Sequence, residues 1–94
     1  MINETTIQAK HNAVQSILTG MKREAEARRE RAQDLTGAAA VEADAANVAR
    51  VTVAAYAALC HLMPTVEAKA MAQALGKRAS NGHATGAKTQ LGNQ

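Results

Sequence analysis

The chain has 94 residues and a formal net charge of +3, and 47% of it is hydrophobic, with no Phe, no Trp and one tyrosine. This length allows one domain, and the single cysteine excludes an internal disulfide and a cysteine-built metal cluster. The first residues lack the pattern of a signal peptide. The longest apolar run, residues 51–63, is shorter than the roughly 20 residues that span a bilayer. We therefore expect a cytoplasmic protein without a membrane partner.

The first predicted helix covers residues 4–35. Strong helix formers dominate this segment, and Glu4 suits the positive end of the helix dipole. Thr36 and Gly37 provide a stop, with glycine in the left-handed cap position. Residues at heptad spacing form one seam along the helix: His11, Val14, Leu18, Met21, Ala25, Arg28, Ala32 and Leu35.

The second predicted helix covers residues 38–63 and ends before Pro64, because proline disfavours a helical residue ahead of it. A seam at the same spacing runs along it: Ala38, Val41, Ala45, Val48, Thr52, Ala55, Leu59 and Leu62. A two-residue turn at Thr36 and Gly37 would bring both seams into antiparallel register. The pattern therefore predicts a long helical hairpin.

The second helix also carries a second apolar stripe, formed by Ala49, Val53, Tyr56, Cys60 and Met63. A helix that is apolar on most sides is a buried one, and the first helix can cover only one side. We expect the stripe to form core against a third helix or an interface with a second chain. The fold prediction is all-α, assembled as a four-helix-type homodimer.

A short third helix is predicted for residues 65–75, closed by Gly76. The following segment is polar and glycine-rich and lacks periodicity, which is typical of a flexible tail. The predicted organisation is a helical domain of residues 1–76 and a basic tail of residues 77–94.

Residues 21–34 contain many arginines, but acids are interleaved with them. Glu24 and Arg28 form a favourable pair at i,i+4 spacing, and the mixture of signs is typical of a solvated helix. The segment also lacks aromatic residues for base stacking. The candidate contacts to a partner protein or a nucleic acid are Lys22, Arg28, Arg29, Arg31, Lys77 and Arg78.

Arg28 occupies a seam position where an apolar residue is expected. The hairpin register places it opposite Ala45 and beside Asp44, and a buried arginine is costly unless it is paired. The sequence therefore predicts an Arg28–Asp44 contact. The alternative is that Arg28 lies at the edge of the seam and extends into water.

Residues for catalysis or metal binding do not form a recognisable set. Cys60 is adjacent to His61, but neighbouring helical residues do not share a face. The histidines are far apart in sequence, and no glycine-rich loop follows a strand. We expect no enzymatic activity, no cofactor and no metal.

Two functional hypotheses remain. The first is a non-enzymatic, homodimeric protein-interaction module, such as an adaptor, regulator or inhibitor of a larger machine. The second is a nucleic-acid-binding or architectural helical dimer that uses the flanking basic residues and the tail. A helix-turn-helix arrangement around Pro64 would place Glu67, Lys69 and Gln73 on the reading helix, which lacks the arginine and asparagine usual in base readout.

Overall fold

The structure is a computed structural model that describes residues 4–82. Three helices occupy most of this range: α1 is Glu4–Ala32, α2 is Gly37–Leu59 and α3 is Thr65–Arg78. Residues 4–82 contain no strand. The all-α prediction with three helices is confirmed, and the part of the predicted tail beyond residue 82 lies outside the described residues.

The connection between α1 and α2 is longer than the predicted two-residue turn. The helix α1 ends at Ala32, three residues early, and its last turn tightens as the Leu35 N–H donates to the Ala32 carbonyl at 3.1 Å. Thr36 has extended backbone, and Gly37 has a φ of 63° at the first position of α2. Glycine adopts this left-handed conformation without a steric penalty.

The connection between α2 and α3 also differs from the prediction. The helix α2 ends at Leu59 instead of residue 63, and the Leu62 N–H donates to the Leu59 carbonyl at 2.9 Å in the turn that follows. Pro64 precedes α3, and its carbonyl accepts from the Ala68 N–H at 2.9 Å. Proline suits this position because the first N–H groups of a helix need no internal partner.

Gly76 lies inside α3 and does not end it, which corrects the predicted boundary at residue 75. A Cβ atom at this position would overlap the hydroxyl of Thr52 and lie 3.0 Å from the carbonyl oxygen of Val48. The glycine is therefore needed for the close approach of α3 to α2. None of the three helices has the combination of length and hydropathy that a bilayer span requires.

The core lies where the three helices meet and is built mainly from small residues. Its buried members are Ala25, Val51, Ala55, Leu59, Ala68, Ala72, Leu75 and Ala79. Leu59 and Val51 are the largest apolar side chains that are fully buried, and burial of each contributes about 1.5–3 kcal/mol. The remaining core positions gain stability through close helix packing.

The buried face of α2 is rotated from the predicted seam in the first half of the helix. Ala40 and Asp44 are buried there, whereas the seam residue Val41 is 51% exposed. In the second half the seam is confirmed at Ala55 and Leu59, which are fully buried. The physical reason for the rotation is that α3 packs against α2 more extensively than α1 does, so α2 turns its face toward both neighbours. In α1 the predicted seam is confirmed at Ala25 and Ala32, which are buried.

Candidate protein-interaction surface

Asp44 is fully buried and holds the end of α3 against α2. Its carboxylate accepts a hydrogen bond from the Ser80 hydroxyl at 2.8 Å and another from the backbone N–H of Asn81. The Ser80 oxygen in turn accepts from the Gly82 N–H at 2.9 Å. A buried carboxylate is tolerated only where such donors surround it, so these bonds determine where the chain passes after α3.

The same segment contacts α1. The Asn81 side-chain amide donates to the carbonyl of Arg29 at 3.0 Å, and the Arg78 guanidinium lies 3.3 Å from the Glu26 carboxylate. The domain boundary between residues 76 and 77 stays a prediction, but Arg78, Ser80 and Asn81, beyond that boundary, contact α1 and α2. The composition of the segment does not reveal these contacts, because Asp44 supplies the acceptors.

The predicted pair of Arg28 and Asp44 is replaced by other contacts. The Nη2 atom of Arg28 lies 3.5 Å from Glu24 Oε2, and the Arg28 backbone carbonyl accepts from the Asn47 amide at 3.1 Å. Among the described residues, Arg28 Nε is buried without a hydrogen-bond partner. The rotation of α2 explains the change, because it directs Asp44 toward Ser80 at the end of α3.

The other basic candidates are distributed over the surface. Lys22, Arg29 and Arg31 are exposed on α1, while Lys77 lies on α3 beside a groove between α2 and α3. Arg28 and Arg78 both engage carboxylates of α1. Acids thus accompany the arginines in space as they do in sequence.

The second stripe of α2 is divided by the structure. Tyr56, Cys60 and Met63 are half-buried and pack against the core, whereas Ala49 is exposed and Val53 is 68% exposed. The stripe is therefore partly core, as one alternative expected, and its N-terminal end at Ala49 and Val53 is left uncovered by α1 and α3.

The uncovered side of α2 forms a surface that we call the outer face. Its residues recur at helical spacing and are all exposed: Ala39, Glu42, Ala46, Ala49, Arg50 and Val53. Four of the six are alanine or valine, and the two charges have opposite signs. An apolar helical side of this kind is normally packed against another element.

A groove follows the line where α2 and α3 meet, and we call it the α2–α3 groove. It is lined by Val48, Thr52 and Tyr56 of α2 and by Lys69, Gln73 and Lys77 of α3, with Val53 at the edge shared with the outer face. Its floor is fixed where Gly76 meets Thr52. Two lysines therefore flank an otherwise neutral channel.

Three parts of this arrangement could not be foreseen from the sequence: the hydrogen bonds from Ser80 and Asn81 to Asp44, the bond from Asn47 to the Arg28 carbonyl, and the groove. The available signal was Asp44 itself, an acid within the alanine-rich stretch of α2. The groove gave no such signal, because it depends on the position of α3.

Within residues 4–82, no three His, Cys, Asp or Glu side chains are placed to hold a metal ion together. His11 and His61 are exposed. The half-buried Cys60 has its thiol 3.4 Å from the Ala57 carbonyl, one turn back in α2. Comparison of the chain with protein-family models, curated proteins and solved structures gives no match.

Proposed function

We propose that the protein is a non-enzymatic interaction module that dimerises through the outer face of α2 and binds another protein. The observation that carries the proposal is the uncovered outer face, on which Val53 is 68% exposed. Exposed apolar surface rimmed by polar groups marks interaction sites in small soluble domains. A second chain would remove this surface from water.

The outer face is complementary to itself. Glu42 and Arg50 each lie four residues from Ala46, about 6 Å along the helix axis in opposite directions. A second copy that crosses in antiparallel orientation at Ala46 places Glu42 of each chain beside Arg50 of its partner. Val53 then faces Ala39, since both lie seven residues from Ala46.

The crossing that this pairing needs is a common one. Residues four apart form a ridge inclined about 26° to the helix axis, and two such ridges pack at a crossing angle of about 50°. Alanine at the crossing point lets the helices approach closely. The two Glu42–Arg50 pairs would set orientation and contribute modestly, about 0–1 kcal/mol each at an exposed site.

A small core supports the same proposal. Most of the buried apolar residues are alanines, and small domains are marginally stable because they bury a small share of their surface. Association that covers the outer face would stabilise the fold by mass action.

The mass in solution tests the proposal. Light scattering over a range of concentrations should give the mass of two chains. Glu42→Arg and Arg50→Glu should each give the mass of one chain, because each places like charges across the interface. Gln33→Glu, at an exposed residue between the helices, is the control and should remain dimeric. A wild-type chain that is monomeric throughout would refute dimerisation.

Nucleic-acid binding is the competing proposal, and the charges support it less well. The Arg28 and Arg78 guanidiniums pair with Glu24 and Glu26, so the surface of α1 is mixed in sign. Phosphate binding by basic residues weakens steeply with salt. Retention of the chain on heparin or random duplex DNA, lost between low and physiological salt, would favour this competing function over protein binding.

A further inference from the structure

We infer that the α2–α3 groove binds a partner protein through one amphipathic helix that carries an apolar stripe flanked by acidic residues. The inference rests on the proposed protein-binding function and names the chemistry of the partner. It can be tested apart from the dimer, because the charges that it uses, Lys69 and Lys77, lie on α3, although Ala49 and Val53 border both surfaces.

The positive charge of the groove favours an acidic partner. Lys69 and Lys77 line it from α3 and both are exposed. Among the described residues, no carboxylate lies within 4.0 Å of either ammonium group. Arg78, on another side of the same helix, is already paired with Glu26. Within residues 4–82, the groove thus offers two positive charges that are not engaged in an ion pair.

The walls of the groove favour a helix as the bound segment of the partner. Both walls are helices whose backbone groups are bonded internally, so no strand edge is available for an added β-strand. The floor and the α2 wall are contributed by Val48, Thr52 and Tyr56, and the Thr52 hydroxyl already donates to the Val48 carbonyl at 2.7 Å. An apolar helical stripe fits a floor in which the Thr52 hydroxyl is already bonded.

The spacing of the residues gives the length of the partner segment. Ala45 and Tyr56 mark the ends of the groove on α2 and are separated by about 16 Å, or three helical turns. Lys69 and Lys77 are separated by about 12 Å along α3. A partner helix of about three to four turns would therefore present carboxylates seven or eight residues apart on one flank.

Tyr56 provides a readout without a label. It is the only aromatic residue among Phe, Trp and Tyr in the chain, and it lines the groove. A bound helix would change its exposure and hence its fluorescence. The probe is a capped alanine–leucine peptide of 15 residues without aromatic residues, with leucines on one stripe and two glutamates eight apart. A matched peptide carries lysines in place of the glutamates.

We expect the acidic peptide to change Tyr56 emission saturably and the lysine peptide to leave it unchanged. The double variant Lys69→Glu, Lys77→Glu should bind the acidic peptide about tenfold more weakly, as expected for the loss of two exposed ion pairs, and should gain binding of the lysine peptide. Circular dichroism should show unchanged helix content, since both lysines are exposed. Arg50→Glu should retain peptide binding.

Three results would overturn the inference. The first is that neither peptide changes the emission of the wild-type chain, or that both change it equally. The second is that random duplex DNA binds through Lys69 and Lys77 while the acidic peptide does not. The third is that the lysine double variant becomes monomeric, because the groove would then be occupied by a second copy. A monomeric wild type that binds the acidic peptide would refute dimerisation and leave the groove intact.

Discussion

Replacement of Asp44 by alanine tests how the end of α3 is held. The change removes the carboxylate that accepts from the Ser80 hydroxyl at 2.8 Å and from the Asn81 N–H. Loss of the acceptor for a buried hydroxyl costs about 1–3 kcal/mol, and the more accessible Asn81 N–H adds about 1 kcal/mol. We therefore expect Asp44→Ala to lower the free energy of unfolding by about 2–4 kcal/mol.

This loss is large for a domain of 94 residues. Because about 1 kcal/mol shifts the melting temperature of such a domain by about 4–8 °C, Asp44→Ala should melt about 8–32 °C below the wild type. Thermal unfolding followed by circular dichroism at one fixed chain concentration measures the shift. Glu30→Ala, which removes an exposed acid from α1, is the matched control and should melt close to the wild type.

The pairing itself is tested by Ser80→Ala in both backgrounds. In the wild-type chain this change should cost about 1 kcal/mol, and in the Asp44→Ala chain it should cost less, because the bond is already absent. An Asp44→Ala variant that melts with the Glu30→Ala control would refute the view that Asp44 fixes the end of α3. Equal effects of Ser80→Ala in both backgrounds would show that the two residues are not coupled.

Three further substitutions test the helices and their packing. Gly76→Ala should destabilise the fold by about 2 kcal/mol or more, because the added Cβ meets the Thr52 hydroxyl. Gly20→Ala has open space around the added Cβ and should stabilise α1 by about 1 kcal/mol. Urea unfolding measures both variants, and the reverse order of stability would contradict the close approach of α3 to α2. Arg28→Met should leave the melting temperature unchanged or raise it, since it removes a buried Nε atom without a hydrogen-bond partner. A fall of several degrees would show that the pair of Arg28 with Glu24 stabilises α1.

The helices could be predicted because their signals are local. Helix formers fill each segment, Pro64 separates the second from the third, and Gly37 has the positive φ expected of a glycine at a helix boundary. The helix starts moved by at most one residue, whereas the helix ends moved by three or four, since the last turns of a helix depend on contacts that sequence does not display. The first connection spans four residues instead of two.

The faces of α2 could not be predicted in the same way. Heptad spacing gives the period of an apolar stripe. It does not show which side of the helix is buried when two neighbouring helices pack against it. Gly76 was interpreted as a stop, although its function in the fold is to let α3 approach Thr52 and Val48. Asp44 was assigned to Arg28 because both lie near one seam, but the donors that satisfy it come from Ser80 and Asn81, 36 and 37 residues away.

The candidate interaction surface was partly visible in the sequence. Ala49 and Val53 belonged to a predicted stripe and are exposed, while Tyr56 in the same stripe lines the groove. Lys77 was a predicted partner contact and Lys69 was considered for a reading helix, but their shared position was not predictable, because they join the groove only through the packing of α3 on α2. Charges on separate helices can be assigned to one surface only when the relative position of the helices is known.

The central claim, that two chains pair through the outer face of α2, is tested most directly by mixing Glu42→Arg with Arg50→Glu. Each variant alone places like charges across the interface, whereas an equimolar mixture pairs only opposite charges in a heterodimer. Light scattering should give the mass of one chain for each variant and of two chains for the mixture. Dimers in both separate variants, or monomers in the mixture under conditions where the wild type is dimeric, would contradict the pairing at Ala46.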